Sequence, residues 1–435
     1  MNSQCEKLYE CVACGSDKLT PVLDLGNQPL ANSYKFDKDT WQVEYPLAIV
    51  HCNKCYHVQL THVIKPALMF EDYLYVSGTT QTAHQHFEDF AKMVDRLSRR
   101  YNVKESHRTV LDVGCNDGTQ LDYFAKLDYK TYGVDPAANL IPQTRIKHPN
   151  VVCGYFDEHF LKAWNSIYTE RVDIITAQNV FAHTDNPLHF LEVAKGLMHD
   201  NSFLIIQTSQ ANMIENNEFD TIYHEHVSFF NVRSMNELCK RAGLYLFEVR
   251  FMPIHGNSFI FIISKIPPHN LEDVFIDNMM KFKVPPDKPY SNSVMELIRQ
   301  EDSAGLYNPE TYIKYAENAS KITKELKSIT DVCGGGFVGW KVVGYGASAK
   351  GMTLLNYSKM HLDWVVDDNP LKQGRFTPGS SIPILPSSSL NNIDDVILFV
   401  PLAWNFFEEI KARIKLQRGN RDDKFVTYFP KVELK

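Results

Sequence analysis

The sequence lacks the features of two large classes of protein. No stretch of its 435 residues approaches the ~20 consecutive apolar residues that a membrane-spanning helix needs, and the polar N-terminus has no signal-peptide core. Basic residues are not in excess, because 45 lysines and arginines stand against 52 aspartates and glutamates, a net charge of -7. This mixture gives no electrostatic footprint for nucleic acid. We therefore expect a cytoplasmic protein with neither a membrane nor a nucleic-acid partner.

The composition predicts more than one packed core. The chain is 44% hydrophobic and 22% charged, and its 435 residues exceed what a single hydrophobic core supports. We expect a soluble multidomain protein that is a monomer or a weak homodimer.

One loop has the spacing of a nucleotide site, although its glycine pattern is incomplete. Residues 110–118 read VLDVGCNDG, and this apolar run before an amphipathic segment predicts a strand, a tight turn and a helix. The loop lacks the third glycine of G-x-G-x-x-G, and no Lys-Ser or Lys-Thr follows to hold a polyphosphate. Gly114 and Gly118 would let the backbone approach a ligand where a Cβ would collide. We therefore predict a ligand with a ribose and no phosphate, of which S-adenosylmethionine is the common one; an ordinary βα turn is the alternative.

The sequence predicts a sheet around this loop. A second apolar run ends in Asp135, whose carboxylate can accept both hydroxyls of a ribose at the end of a strand. Further runs predict strands at 151–152, 172–177, 203–207, 244–251 and 258–263. The last two look like an antiparallel pair. An order of about seven such strands favours a class I methyltransferase over a dehydrogenase, which would repeat parallel βα units to its end.

The ends of these strands carry the other candidate cofactor residues. Tyr155 and Phe156 follow the third strand and could enclose an adenine ring, and Asn179 follows the fourth strand at the edge where ligands bind. The predicted cofactor residues are Gly114, Asn116, Asp117, Asp135, Phe156 and Asn179.

Four of the nine cysteines form two C-x-x-C pairs. The pairs are Cys11 with Cys14 and Cys52 with Cys55. Two such knuckles direct four thiolates at one metal and predict a zinc site, whereas disulfides are disfavoured in a reducing compartment. Because four thiolates close the coordination shell, the zinc is expected to be structural. Between the pairs we expect a strand at 43–50 and an irregular loop at 25–31.

The segment that follows the second pair has two different halves. Helical spacing at residues 87–97 predicts a helix that leads into the sheet. Before it, Tyr73, Tyr75 and residues 77–80 place several hydroxyls in an irregular turn. This turn either covers the zinc module or serves the cofactor domain.

The most chemically reactive stretch is Tyr223-His224-Glu225-His226. Four polar side chains in a row are costly to bury unpaired, so a solvated loop is one interpretation. The pattern is not the zinc signature H-E-x-x-H, because the two histidines are two residues apart and not four. The other interpretation is a catalytic loop in which one histidine is the general base.

A second strand, glycine turn and helix are predicted at residues 341–351, KVVGYGASAKG. Ser348 and Lys350 fall at the start of the helix, a favourable place for a phosphate. Lys372 and Arg375 follow the end of the next predicted strand and could neutralise the charge of that phosphate. The alternative is a degenerate repeat that binds no ligand.

Five segments, in order along nearly the whole chain, resemble one known family. They are Asp24-Leu25-Gly26-Asn27-Gln28-Pro29-Leu30-Ala31-Asn32, the two cysteine pairs, Gly114-Cys115-Asn116-Asp117-Gly118, Tyr223-His224-Glu225-His226, and Gly344-Tyr345-Gly346-Ala347-Ser348-Ala349-Lys350-Gly351. Together they resemble the sugar C-methyltransferases of deoxysugar pathways. The resemblance implies an α/β protein with a small four-cysteine zinc module at 1–70, a class I methyltransferase domain that binds S-adenosylmethionine at 71–266, and a Rossmann-like domain at 267–435 that helps to bind a sugar nucleotide.

The resemblance also implies a reaction and the residues that perform it. The expected substrate is a nucleotide-linked 4-keto-6-deoxy sugar, methylated next to the ketone, at C3, through an enolate. By position the family's active-site residues fall on His226, Tyr223, Glu225, His183 and Tyr75. We expect His226 to remove the proton, Tyr223 and Glu225 to orient it, and His183 or Tyr75 to stabilise the oxyanion. Tyr223 as the base stays open.

Departures from the family pattern bear on the substrate more than on the reaction. Asn257 and Ile260 stand where relatives usually show a second glycine and an arginine, and Met352 replaces a usual asparagine. An O- or N-methyltransferase acting on a related nucleotide sugar is one alternative and needs no enolate. A zinc-stabilised binding protein with a vestigial cofactor site is the other.

Overall fold

A computed structural model describes most of the chain: residues 4–73, 76–79, 81–100, 108–168, 170–208, 211–252, 258–267, 294–335, 339–391, 393–419 and 421–435. Tyr75 and Asn257 lie outside the described residues. Within the described ranges, no helix has the length and apolar character to cross a bilayer.

The N-terminal module is built from short antiparallel strands. Its elements are β1 (Cys5–Lys7), β2 (Leu19–Gln28), β3 (Tyr45–Cys52), β4 (Val58–Leu60), β5 (His62–Ile64) and the short helix α1 (Ala67–Phe70). β2, β3 and β4 form one sheet, and β1 pairs with β5. The expected irregular loop at 25–31 is wrong for its first half, because β2 continues to Gln28 through a bulge. Gly26 adopts a φ of 75° there, a conformation that glycine tolerates best.

The central domain holds a mostly parallel sheet. Its elements are α2 (Gln81–Arg100), β6 (Thr109–Val113), α3 (Thr119–Ala125), β7 (Lys130–Asp135), α4 (Ile141–Lys147), β8 (Val151–Cys153), α5 (Glu158–Ile167), β9 (Val172–Gln178), α6 (Pro187–Leu197), β10 (Met198–Thr208), β11 (Ser228–Phe229), α7 (Val232–Ala242), β12 (Tyr245–Met252) and β13 (Ser258–Ser264). In the described residues the strand order is β12-β13-β10-β9-β6-β7-β8, with β13 antiparallel to both neighbours. The predicted class I methyltransferase order is confirmed.

The C-terminal domain begins with two helices and continues as a second α/β sheet. Its elements are α8 (Val294–Ser303), α9 (Pro309–Gly334), β14 (Lys341–Tyr345), α10 (Ala349–Ser358), β15 (Trp364–Val366), β16 (Ile384–Leu385), β17 (Ile397–Pro401), α11 (Phe407–Arg418), β18 (Lys424–Thr427) and β19 (Glu433–Leu434). β14 to β18 pair in parallel and β19 closes the edge in the antiparallel sense. The predicted strand, glycine turn and helix at 341–351 are present as β14 and α10.

The three parts share one interface around residues 215–230. β11 lies outside the central sheet and pairs with β4, as the fourth strand of the N-terminal module's sheet. The Thr353 hydroxyl of α10 donates to the Ile222 carbonyl at 3.0 Å, and the Tyr34 hydroxyl donates to the Ala347 carbonyl at 2.6 Å. The Tyr223-His224-Glu225-His226 stretch therefore lies where the N-terminal module, the central sheet and the C-terminal domain meet.

Candidate active site

The four cysteines of the C-x-x-C pairs form one cluster. The Sγ atoms of Cys11 and Cys55 are 3.6 Å apart, as are those of Cys14 and Cys52, and all four lie within 4.8 Å of one another. Four thiolates at ~2.3 Å from one Zn²⁺ would be about 3.8 Å apart, so the donor set fits a tetrahedral zinc ion. Among the described residues this is the one group of three or more side chains placed to hold a metal.

The zinc cluster is part of the core of the central domain. Cys11, Cys52 and Cys55 are buried in the same apolar cluster as residues of α7 and of the strands of the central sheet. The Arg241 guanidinium of α7 donates to the Ala13 carbonyl, inside the first knuckle, at 2.7 Å. The zinc module therefore shares a hydrophobic core with the central domain and is not an independent domain.

The glycines of the cofactor loop are required by protein packing. Gly114 and Gly118 have φ values of 72° and 78°. A Cβ on Gly114 would lie 2.2 Å from Val180 Cγ2, and one on Gly118 would lie 2.9 Å from Thr144 Cγ2. A neighbouring side chain therefore already excludes a Cβ at either position, and the predicted close approach of a ligand to these glycines stays a prediction.

Asp135 lies at the end of β7, beside the turn after β6. Its Oδ2 accepts the Asn116 backbone N–H at 2.9 Å and its Oδ1 accepts the Ala137 N–H at 2.8 Å. Burial raises the pKa of this carboxyl, although the two N–H groups act in the opposite direction. Since a carboxylate oxygen has two lone pairs, each retains capacity for a ribose hydroxyl.

Asn116 and Asp117 hold the hydroxyl-rich turn over the cofactor loop. Asn116 Oδ1 accepts the Ser77 N–H at 3.0 Å, and Asp117 Oδ2 accepts the Gly78 N–H at 2.9 Å. The turn at 77–79 is therefore fastened to the predicted cofactor site, which favours the second of its two predicted roles.

Phe156 and Asn179 are placed differently with respect to the loop. The Phe156 ring lies against Phe160 and Phe190, with centroids 5.6 and 4.7 Å away, at the edge of the core. Asn179 follows β9 with a φ of 54°, and its N–H donates to the Gln207 carbonyl at 2.9 Å. Contact of either residue with an adenine or a methionine moiety stays a prediction.

The Tyr223-His224-Glu225-His226 stretch forms a buried turn. The His226 N–H donates to the Tyr223 carbonyl at 2.9 Å, and His224, Glu225 and His226 are all buried. The solvated-loop interpretation is therefore wrong, because β11 fixes the end of the turn to β4 and the side chains of the turn are packed inside the protein. Tyr223, Glu225 and His226 have hydrogen-bond partners, whereas His224 Nδ1 has none among the described residues. His224 lies apart from the others, with Nε2 on the Tyr45 carbonyl at 3.3 Å.

Tyr223 and His226 form a hydrogen-bonded pair of defined polarity. His226 Nδ1 lies 3.0 Å from the Thr221 carbonyl, and His226 Nε2 lies 2.7 Å from the Tyr223 hydroxyl. A carbonyl oxygen can only accept, so Nδ1 carries the hydrogen and Nε2 accepts the Tyr223 O–H. This assignment applies to the neutral imidazole, in which Nε2 is the basic nitrogen.

Glu225 is held by two residues for which the sequence suggested no role. The Asn32 amide donates to Oε1 at 2.6 Å, and the Tyr73 hydroxyl donates to Oε2 at 3.0 Å. Burial raises the pKa of Glu225 to about 7, and the two hydrogen bonds act against this rise. Both residues lie in segments that the sequence analysis singled out, Asn32 at the end of the first family segment and Tyr73 in the hydroxyl-rich turn. Neither segment indicated a contact with Glu225.

His183 lies beside His226 at the end of β9. Its ring stacks between Phe70 and His226, with centroids 5.5 and 5.3 Å away. Burial lowers the pKa of His183 to about 4, so the ring is neutral at pH 7. Its Nε2 is shielded from solvent and has no hydrogen-bond partner among the described residues.

The glycine turn of the C-terminal domain is closed by its own hydrogen bonds. Ser348 caps α10, accepting the Gly351 N–H at 3.1 Å and donating to the Leu402 carbonyl at 3.0 Å. Because the one hydroxyl hydrogen of Ser348 is already donated, its predicted contact with a phosphate finds no support in this geometry.

The three predicted basic residues lie at successive points along one side of the C-terminal domain. Lys350 Nζ is 5.1 Å from the centre of the Trp404 ring, and Lys372 Nζ donates to the Ala347 carbonyl at 2.7 Å. Arg375 lies farther along, 4.2 Å from the centre of the Phe36 ring. Lys350 and Lys372 thus flank the turn, whereas Arg375 contacts the N-terminal module.

Three family profiles match consecutive parts of the chain. Residues 11–70 match the family described as "Putative zinc binding domain", residues 82–249 match a methyltransferase domain, and residues 279–430 match a C-methyltransferase C-terminal domain. The C-methyltransferase NovU of Streptomyces niveus is 28% identical over 423 residues, which are 95% of this chain and 94% of that protein. The chain is similar to a C-methyltransferase along nearly its whole length. It is an S-adenosylmethionine-dependent methyltransferase with an N-terminal zinc-binding module.

Other similarities of the chain are local. A ubiquinone biosynthesis O-methyltransferase of Histophilus somni is 28% identical over 108 residues, which are 24% of this chain and 45% of that protein. The crystal structure of an S-adenosylmethionine-dependent methyltransferase of Clostridium acetobutylicum covers 41% of this chain and 91% of its own, with 11% identity and a TM-score of 0.33.

Proposed function

We propose that this methyltransferase methylates a nucleotide-linked 4-keto-6-deoxy sugar at the carbon next to the ketone, C3, through an enolate. The observation that carries the proposal is the hydrogen-bonded pair of half-buried Tyr223 and buried His226 beside the unpartnered Nε2 of His183 in the described part of the chain. An acidic C–H and a developing oxyanion need such a combination of base and donor.

His226 is the proposed base. Its Nδ1–H is fixed on the Thr221 carbonyl, so Nε2 is the nitrogen that accepts the proton from carbon. Tyr223 occupies that lone pair at 2.7 Å when no substrate is present, so it orients the ring and has to release Nε2 as the substrate binds. When bound, S-adenosylmethionine supplies the methyl group as an electrophile, and the overall reaction releases one proton.

His183 is the proposed donor to the oxyanion. A neutral imidazole with its hydrogen on Nε2 can donate to the ketone oxygen while that oxygen gains charge. The shielded position of Nε2 strengthens such a bond, since little water competes for it. Tyr75, the other candidate donor, stays a prediction from the family resemblance.

Glu225 is the proposed positioning residue of the turn. Its carboxyl joins Asn32 of the N-terminal module to Tyr73, which precedes the cofactor loop. Removing it would release both segments from the Tyr223–His226 turn. Glu225 thus orients the base through the fold and needs no contact with the reacting atoms.

The nucleotide of the substrate is proposed to reach the C-terminal domain. Lys350 and Lys372 flank the turn at the start of α10, where backbone N–H groups and the helix dipole favour a phosphate. The cytoplasmic location, the absence of nucleic-acid partners and the oligomeric state remain predictions from the sequence.

Proton exchange tests the enolate and its base together. The protein is incubated with a dTDP-4-keto-6-deoxy sugar in deuterated water, and the ring protons are followed by NMR with and without S-adenosylmethionine. We expect exchange at C3 that falls about 10²- to 10⁴-fold in His226→Asn, the usual size of a general-base effect. Tyr223→Phe, which removes one hydrogen bond worth ~1 kcal/mol, should lower exchange by only about fivefold.

Controls separate this mechanism from its alternatives. His224→Asn changes a buried histidine of the same turn outside the proposed machinery and should retain exchange, with folding checked by thermal unfolding. A larger loss in Tyr223→Phe than in His226→Asn would identify Tyr223 as the base. Methylation with full retention of a C3 deuterium label would exclude the enolate and favour O- or N-methylation.

A further inference from the structure

Residues 32–36 of the N-terminal module run from the proposed catalytic turn to Arg375. Asn32 contacts Glu225 of that turn. Tyr34 donates to the Ala347 carbonyl, and Lys372 Nζ lies 5.2 Å from the centre of the Tyr34 ring. At the far end the Phe36 ring lies 4.2 Å from the Arg375 guanidinium. One short segment thus connects the proposed sugar site at Glu225, the proposed phosphate site at Lys372, and the contact of Phe36 with Arg375.

The far end of this segment is firmly built. The Lys35 N–H donates to the Phe376 carbonyl at 2.9 Å, and the Phe376 N–H donates back to the Lys35 carbonyl at 2.8 Å. The buried Lys35 ammonium donates to the carbonyls of Lys38 and Thr40, at 2.5 and 3.2 Å, and to the Ser381 hydroxyl at 2.5 Å. These bonds fix the loop that carries Phe36 against the strand segment that carries Arg375.

Phe36 is displayed to solvent by this fixed loop. The side chain is 78% exposed, although its neighbours in sequence, Tyr34 and Lys35, are buried. An exposed phenyl ring contributes little to folding, but a flat ring beside a guanidinium is a good platform for a planar base, through stacking and cation–π attraction. Such a platform accepts any base, because every base has a π-face.

The spacing suits a nucleotide sugar. Phe36 follows Asn32 by four positions, so their Cα atoms are at most ~14 Å apart, and the segment is shorter than this limit because the Tyr34 N–H turns back to the Asn32 carbonyl at 3.1 Å. In a nucleotide-linked sugar, the sugar and the base are separated by a diphosphate and a pentose. Lys372, between the two ends, has the charge that the diphosphate requires.

We propose that the nucleobase of the substrate stacks on Phe36 beside Arg375, so that residues 32–36 form one wall of the nucleotide-sugar site. This inference rests on the proposed function and adds the subsite that recognises the nucleotide. The N-terminal zinc module then binds substrate as well as supporting the fold.

Binding of nucleoside diphosphates, without sugar or methyl donor, tests the subsite. The affinities of dTDP, UDP and inorganic pyrophosphate are measured by isothermal titration calorimetry for the wild type, Phe36→Ala and Phe36→Tyr. We expect Phe36→Ala to weaken the binding of nucleoside diphosphates about tenfold or more, the size of one base–aromatic stack, and to leave the affinity for pyrophosphate unchanged. Phe36→Tyr, which keeps a flat ring, should bind like the wild type.

Tyr9→Ala is the matched control. Like Phe36, Tyr9 is an exposed aromatic residue (72% exposed) with a cation nearby, because Lys7 Nζ lies 5.4 Å from its ring centre. Among the described residues, no contact joins Tyr9 to Arg375. The inference would be overturned if Phe36→Ala bound nucleoside diphosphates with the same affinity as Tyr9→Ala and the wild type. Failure of the wild type to bind any nucleoside diphosphate would overturn it too, while the exchange experiment decides the methyl-transfer proposal separately.

Discussion

At the scale of single residues, the backbone decides what the proposed catalytic side chains can do. The Thr221 carbonyl fixes the hydrogen of His226 on Nδ1, and the same turn brings the Tyr223 hydroxyl to Nε2. His183 is kept neutral because its surroundings disfavour a charged ring and so lower its pKa. The neutral form of His226 therefore offers a basic nitrogen beside the neutral ring of His183, the combination that deprotonation next to a ketone needs.

Glu225 gives a prediction for stability against pH. Burial raises its pKa to about 7, above the ~4.5 of an unfolded chain, so the folded state binds the proton more tightly. This contribution to the free energy of unfolding is complete below pH ~4.5 and is lost as pH rises to about 7. A shift of this size corresponds to a change on the order of 3 kcal/mol.

Comparing Glu225→Gln with the wild type isolates this contribution. Glutamine has no such titration, so the variant should gain stability relative to the wild type by up to ~3 kcal/mol between pH 4.5 and pH 8. Urea unfolding of both proteins at a series of pH values measures the difference. A difference that does not change with pH would show that the Glu225 carboxyl titrates alike in the folded and unfolded chain.

At the scale of elements, the turn between β6 and α3 is held from both sides. Asn116 and Asp117 fasten the turn at 77–79 to it, and Val180 of the β9 end packs against Gly114. Glycine at this turn thus allows three segments to pack together: the turn itself, the turn at 77–79 and the end of β9. A cofactor would meet a loop whose shape the protein has already fixed.

Gly114→Ala tests this explanation. The Cβ would lie 2.2 Å from Val180 Cγ2, and alanine disfavours the φ of 72°, so we expect a loss of about 2–5 kcal/mol in the free energy of unfolding. Adding Val180→Ala should restore the part due to the collision and leave the part due to φ. If the double variant recovers nothing, side-chain packing is not what requires glycine at this position.

At the scale of the whole molecule, the zinc module is joined to both other domains. Its cysteines pack into the central core, β11 extends its sheet, and Asn32 and Tyr34 reach the catalytic turn and the C-terminal domain. Zinc held by the four cysteines would stabilise the module that carries these contacts, and a shell closed by four thiolates leaves no position for a substrate.

Removal of zinc should therefore disturb folding and catalysis together. Structural zinc sites contribute on the order of 10 kcal/mol of binding free energy, so Cys52→Ser should release the metal, lower the Tm and abolish C3 exchange. Metal analysis, calorimetry and NMR measure the three effects. Cys153→Ser, a change at an exposed cysteine outside the cluster, is the control and should retain one zinc per chain. A zinc-free Cys52→Ser protein with the Tm and exchange rate of the wild type would contradict this account.

The sequence alone determined the features that local patterns encode. The C-x-x-C spacing identified all four zinc ligands, and the periodicity of the apolar runs identified the strands of the central sheet and their methyltransferase order. The family resemblance identified Tyr223, Glu225, His226 and His183 as candidates, and the structure brings these together. Short-range spacing is sufficient for such predictions because adjacent thiolates and alternating side chains follow directly from backbone geometry.

Only the tertiary structure decided what each of these groups contacts. Asn32 meets Glu225 across 193 residues of sequence, and Phe36 meets Arg375 across more than 300, pairings that no local pattern encodes. The same holds for the side chain that excludes a Cβ at Gly114 and for the carbonyl that takes the Ser348 hydrogen. The physical reason is that long-range partners are chosen by the packing of whole elements, whereas sequence periodicity reports only which face of an element is buried.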